Sequence, residues 1–190
     1  MINPEIQPAP KEIEKIKEIT EKEISRIILE IESIIMPLYE QIEKLRKENP
    51  KREVGGRIKN GKIELLEESR WKKDSVVGET PEKERKMAKE GILSFHTHPN
   101  SGLTNESAQD ILSTYFRFRE LIFHKDGVTL LIALKKLPIE KIKEINEQAW
   151  KEAQEEEEKW GDPAYWFWKG KLQEKLPIRV IDIINKNKPK

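Results

Sequence analysis

Apolar residues recur at about every third or fourth position along residues 11–48. They are Ile13, Ile16, Ile24, Ile27, Ile31, Ile34, Leu38, Ile42 and Leu45, with lysine and glutamate filling most positions between. This spacing predicts a long amphipathic helix, or a helix pair, with a single apolar stripe. Pro37 falls inside the run. It predicts a kink or break, because proline removes an intrahelical hydrogen bond and crowds the preceding turn. The near-heptad spacing fits two arrangements equally well, a stripe packed on the chain's own core or a helical homodimer seam. The segment Arg26-Ile-Ile-Leu-Glu-Ile is apolar enough for a strand, but the helical period runs through it and predicts helix.

Beyond residue 50 the pattern shortens. Residues 55–58, 62–67 and 75–77 read as strands, and Asn60-Gly61 between the first two is a hairpin turn signal. Thr80-Pro81 opens a helix as N-cap and first residue, and Gly91 follows its end. Gly91-Ile-Leu-Ser-Phe leads into a buried strand that should stop at Pro99. Residues 100–105 are polar and read as a loop. From Ser107, an N-cap or first-turn residue, the stripe Ile111, Leu112, Tyr115 and Phe116 predicts another helix. Residues 121–123 and 128–134 read as strands joined at Lys125-Asp126-Gly127, with His124 expected to be exposed at the turn. A helix is expected over 138–159, with the acidic block 155–158 on a solvated face. A final strand over 178–184 could add to a sheet edge. Alternating strands and helices predict an α/β fold, a mixed β-sheet flanked by helices. Four of the five tryptophans lie in 138–190, around Ala164-Tyr-Trp-Phe-Trp. They read first as packing for the tail helices and second as a docking surface.

Composition narrows the classes. Charged residues make up 37% of 190, yet the net charge is +1, which gives no basis for nucleic-acid binding. No stretch is apolar enough to span a membrane. Met1-Ile-Asn-Pro-Glu lacks the features of a signal peptide, so a cytoplasmic location is expected. There are no cysteines, so any metal must be held by nitrogen and oxygen. Heavy lysine and glutamate usage suggests a thermophilic, archaeal source.

The candidate chemistry lies in residues 96–110, which begin His-Thr-His-Pro. Residues two apart in a strand point to one face, so His96 and His98 would present both imidazoles to the same side. Asp110 lies three residues after Ser107, nearly on one face of a first helical turn. Two histidines and one aspartate leave a fourth tetrahedral position open, the mark of a catalytic rather than a structural zinc site. Glu106 is a neighbouring carboxylate expected to be exposed on the first turn, where negative charge is favourable.

His-Thr-His-Pro followed by Ser107-x-x-Asp110 resembles the JAMM motif of the MPN-plus zinc metalloproteases, which pairs it with an upstream glutamate. Arg52-Glu53-Val54-Gly55-Gly56 matches that glutamate segment. The resemblance covers roughly residues 38–136, and eight residues separate His98 from Ser107, one more than is usual in the family. It implies a cytidine-deaminase-like JAB/MPN fold. The organisation would be an N-terminal helical extension (1–37), a catalytic domain (38–137) and a helical C-terminal extension (138–190). It further implies that His96, His98 and Asp110 hold Zn2+, which lowers the pKa of a bound water from about 16 toward about 7. Glu53 would be the general base and then acid, and Ser107 would steady the oxyanion. The expected reaction is cleavage after the Gly-Gly tail of a ubiquitin-like or sulfur-carrier protein. A non-catalytic scaffold or assembly subunit, or a DNA-repair-associated relative, is the alternative.

Overall fold

The computed structural model describes residues 18–72, 75–98 and 107–185. Residues 1–17, which include Ile13 and Ile16, the loop 100–105 and Glu106 lie outside these residues. Helix α1 (Glu21–Ile35), a 3-10 turn (Met36–Leu38) and α2 (Tyr39–Glu48) follow one another directly. Pro37 sits in the 3-10 turn, where the expected break occurs. Thr20 caps α1 with a reciprocal capping box to Glu23, satisfying amide groups that the first turn leaves free. Segment 26–31 is helical, as the period requires.

The strands are β1 (Gly55–Lys59), β2 (Lys62–Leu65), β3 (Leu93–Thr97), β4 (Arg119–His124), β5 (Gly127–Ala133) and β6 (Ile178–Asn185). They form one six-stranded sheet in the order β2-β1-β3-β4-β5-β6. The β3–β4 pair is parallel and the other pairs are antiparallel, so the sheet is mixed. Helix α3 (Pro81–Lys89) starts at the Thr80 cap, α4 (Ala108–Arg117) joins β3 to β4, and α5 (Ile139–Trp160) with α6 (Ala164–Lys175) precedes β6. Asn60 and Gly61 both have positive φ, 51° and 70°, the two-residue hairpin turn that an Asn-Gly pair favours. Segment 75–77 is not a strand; Val76 makes only an isolated bridge to Trp71.

Period-two alternation divides the core. On one face Ile58, Leu93, Phe95, Leu121, Phe123, Val128, Leu130 and Ile132 meet Ile24, Ile31, Ile35 and Ile42. The stripe of 21–48 therefore packs on the chain's own sheet. On the other face α4, α5 and α6 gather Ile111, Tyr115, Ile142, Ala149, Trp168 and Leu172. Trp168 is buried and donates its indole N–H to Asn146 Oδ1 at 3.0 Å, whereas Trp160 and Trp166 are exposed. No helix among the described residues is long and apolar enough to cross a membrane.

Candidate metal centre

Three neighbouring elements converge on the face covered by α4, α5 and α6. Gly55 of β1 pairs with His96 of β3, so Glu53, two residues earlier, stands across from His98. Double hydrogen bonding fixes this end of β1. The Thr97 amide donates to Val54 O at 2.9 Å, and the Val54 amide donates to Thr97 Oγ1 at 3.0 Å. Glu53 is itself anchored by its amide, which donates to Lys72 O at 2.8 Å. Gly55 has a local reason to be glycine, since a Cβ there would overlap the Val76 side chain. A Cβ at Gly56 would run into the Phe95 ring. The regular strand ends at Thr97, and the His98 amide then donates to Phe123 O at 2.8 Å.

His96 and His98 do face the same side. Their Nε2 atoms lie 3.1 Å apart. Asp110 Oδ1 lies 3.3 Å from His96 Nε2, and Glu53 Oε1 lies 3.7 Å from His98 Nε2. The ligand atoms of Glu53, His96 and His98 all fall within 4.8 Å of one another, a group able to hold a metal ion. Asp110 reaches the site from the start of α4. Ser107 is the N-cap, its Oγ accepting from the Asp110 amide at 3.1 Å while Asp110 Oδ2 accepts from the Ser107 amide at 2.7 Å. That reciprocal box turns Oδ1 toward His96. Atoms held about 2.0–2.1 Å from a tetrahedral ion are about 3.3 Å from each other. The His96–His98 and His96–Asp110 separations match this edge; the three residues whose ligand atoms lie within mutual reach of one ion are Glu53, His96 and His98, with Asp110 beside His96.

His96 is also engaged from behind. Its Nδ1 lies 3.1 Å from Glu120 Oε1, and that same oxygen accepts from Arg117 Nη1. Arg117 also grips Glu84, with Nε donating to Oε2 at 2.9 Å and Nη2 to Oε1 at 3.2 Å. Burial pushes the His96 imidazolium toward deprotonation. The Asp110 charge, the Glu120 hydrogen bond and the Glu120 and Glu53 charges outweigh it and raise its pKa to about 9. Burial likewise disfavours the charged form of Glu84, yet Arg117 holds its carboxyl below the ordinary range.

Sequence reasoning missed Glu120, Arg117 and Glu84. The available signal was a glutamate inside the otherwise apolar strand Arg119-Glu-Leu-Ile-Phe-His. His124 corrects an expectation. It is 2% exposed rather than a surface turn residue, and its Nε2 lies 3.0 Å from Thr129 Oγ1, which donates to Asp182 Oδ1 at 3.2 Å. Strand β6 covers the place where the turn would have met solvent.

Glu53, His96, His98, Ser107 and Asp110 line one cleft of about 980 Å3, together with the 75–81 segment and Tyr165 of α6. Comparison with known protein families, curated proteins and solved structures finds no match to this chain.

Proposed function

We propose that this chain is a JAMM-type zinc metalloprotease or isopeptidase on a JAB/MPN fold. It would hydrolyse the bond after the Gly-Gly tail of a ubiquitin-like or sulfur-carrier protein. The observation that carries the reading is His96 Nε2 at ligand-edge distance from both His98 Nε2 and Asp110 Oδ1, with Glu53 grouped with the two histidines in the same cleft. His96, His98 and Asp110 would hold Zn2+. When bound, the ion would supply Lewis acidity that makes water nucleophilic near neutral pH and polarises a carbonyl.

The remaining work belongs to the protein. Glu53 is largely shielded from solvent yet opens onto the cleft, so its carboxylate can take a proton from the attacking water and return it to the leaving amine. Ser107 Oγ already accepts from the Asp110 amide, which leaves its O–H to donate to a developing oxyanion. The Gly-Gly specificity rests on the motif resemblance. A tail without side chains is the substrate that can lie extended along such a cleft with least bulk.

One observation favours a variant of the reading. Glu53 belongs to the tight group with both histidines, so it could be a third ligand instead of the base. Glu53→Gln separates the two. As base, its loss leaves one zinc per chain by elemental analysis and removes about 10²–10⁴ of the cleavage rate on a Gly-Gly-linked fusion. As ligand, its loss removes the zinc. Wild-type protein purified with zinc available but carrying no metal would sink both.

A further inference from the structure

The geometry points to Glu120 and Arg117 as a positioning pair for His96, with the Glu120 carboxylate holding the Nδ1–H so that Nε2 offers its lone pair to a metal ion. The inference rests on the metal-site reading above and adds two residues that the motif does not contain. Neutral imidazole carries one proton, and the partner of one nitrogen decides which nitrogen can bind metal. Here the deep nitrogen, Nδ1, meets a carboxylate at 3.1 Å, and the nitrogen facing the cleft meets Asp110 and His98.

The competing account is a buried ion pair that serves only the fold. The way Glu120 uses its oxygens argues against that account. A structural arginine–carboxylate pair is commonly bidentate, and Arg117 does make such a fork, but to Glu84. It gives Glu120 only its third donor. Glu120 takes both Arg117 and His96 on the single oxygen Oε1. Among the described residues its Oε2 is buried with no hydrogen-bond partner. Leaving a buried carboxylate oxygen unsatisfied is costly. The orientation is therefore poor for an ion pair and good for aiming one oxygen at the imidazole.

The support behind the pair is also built. Gly78 makes room for it, since a Cβ there would press on Arg117 Nη2 and Glu84 Oε1. Glu84 Oε1 in turn accepts from the Glu79 amide at 2.9 Å. Arg117 ends α4, whose first turn carries Asp110. One helix thus delivers a candidate ligand at its start and the support for another at its end.

The test uses the full chain and zinc alone. Zinc affinity is measured by chelator competition for wild type, Glu120→Gln and Glu120→Leu, and long-range 1H–15N spectra of the zinc-loaded protein report the His96 tautomer. The expected tautomer is Nδ1–H. Glu120→Leu should weaken zinc by about 10–100-fold. Glu120→Gln keeps an acceptor oxygen and should retain the tautomer with a smaller loss. If Glu120→Leu does not fold, Glu120→Gln and the wild-type spectrum decide. An Nδ1 without a proton in wild type, or equal affinity in every folded variant, overturns the inference. Failure of wild type to bind zinc overturns the metal reading instead.

Discussion

Metal binding at His96 must displace a proton, and the cost of doing so can be worked from the site. With its pKa raised to about 9 in the metal-free protein, His96 is about two pH units inside its protonated range at pH 7. Apparent zinc affinity at pH 7 should then lie about 100-fold, or about 3 kcal/mol, below its limit above pH 9. Between pH 6 and pH 8 it should rise at least about 100-fold, with at least about one proton released per zinc. Chelator competition across this range gives the affinity. Calorimetry in buffers of different ionisation enthalpy gives the proton count. The metal-free protein adds a check of opposite sign. The folded pKa lies above the ordinary histidine value of 6.5, so the stabilisation is full below about pH 6.5 and is lost as pH rises through about 9. Its melting temperature should fall over that window, while saturating zinc reverses the trend by binding the folded state more tightly at higher pH. Affinity that stays flat from pH 6 to 8, with less than about half a proton released, would refute the reasoning.

Ser107→Ala removes both an N-cap and the proposed oxyanion donor. It should cost about 1 kcal/mol in thermal unfolding and about 10²–10³ in kcat with zinc content unchanged; a kcat loss under tenfold would leave only the capping role. In the tail, Trp168→Ala should cost about 3–5 kcal/mol in urea unfolding, because the ring is buried and its N–H is bonded to Asn146. Trp166→Ala, at an exposed position, should fall within about 0.5 kcal/mol of wild type. Equal losses at the two positions would mean that α6 presents a different face to the core.

What the sequence made legible was what depends on neighbours along the chain. The period of the 21–48 segment, the proline break, the Asn60-Gly61 turn and the Thr80 and Ser107 caps all follow from local rules, and each appears where those rules put it. His96 and His98 share a face because alternation along one strand requires it. The Glu120 contact escaped because it depends on the parallel pairing of β3 with β4, which sets His96 against Ile122 and so brings Glu120 to the same face. No local pattern encodes that register. His124 was misread for a similar reason. Its turn is polar, but β6 arrives from far along the chain to pair with β5, and its Asp182 accepts from Thr129, whose Oγ1 lies against the buried imidazole. Segment 75–77 looked like a strand by composition. Val76 instead bridges to Trp71 and fills the space that the missing Cβ of Gly55 leaves.

The charge distribution ties these pieces together. Asp110, Glu120 and Glu53 all act on one buried imidazole, and the nearby guanidinium, Arg117, is shared with a fourth carboxylate, Glu84. Buried carboxylates without matching positive charge destabilise a fold. The protein relieves the excess in the metal-free state by keeping a proton on His96, which is why burial fails to lower that pKa. A divalent ion held at Nε2 would relieve it more fully. The raised pKa and the capacity to hold a metal are therefore two consequences of one negative excess. Removing a carboxylate should lower both together. Asp110→Asn makes this concrete: it should bring the His96 pKa down in the metal-free protein and weaken zinc in the same variant. A purely structural ion-pair cluster would show only the first change.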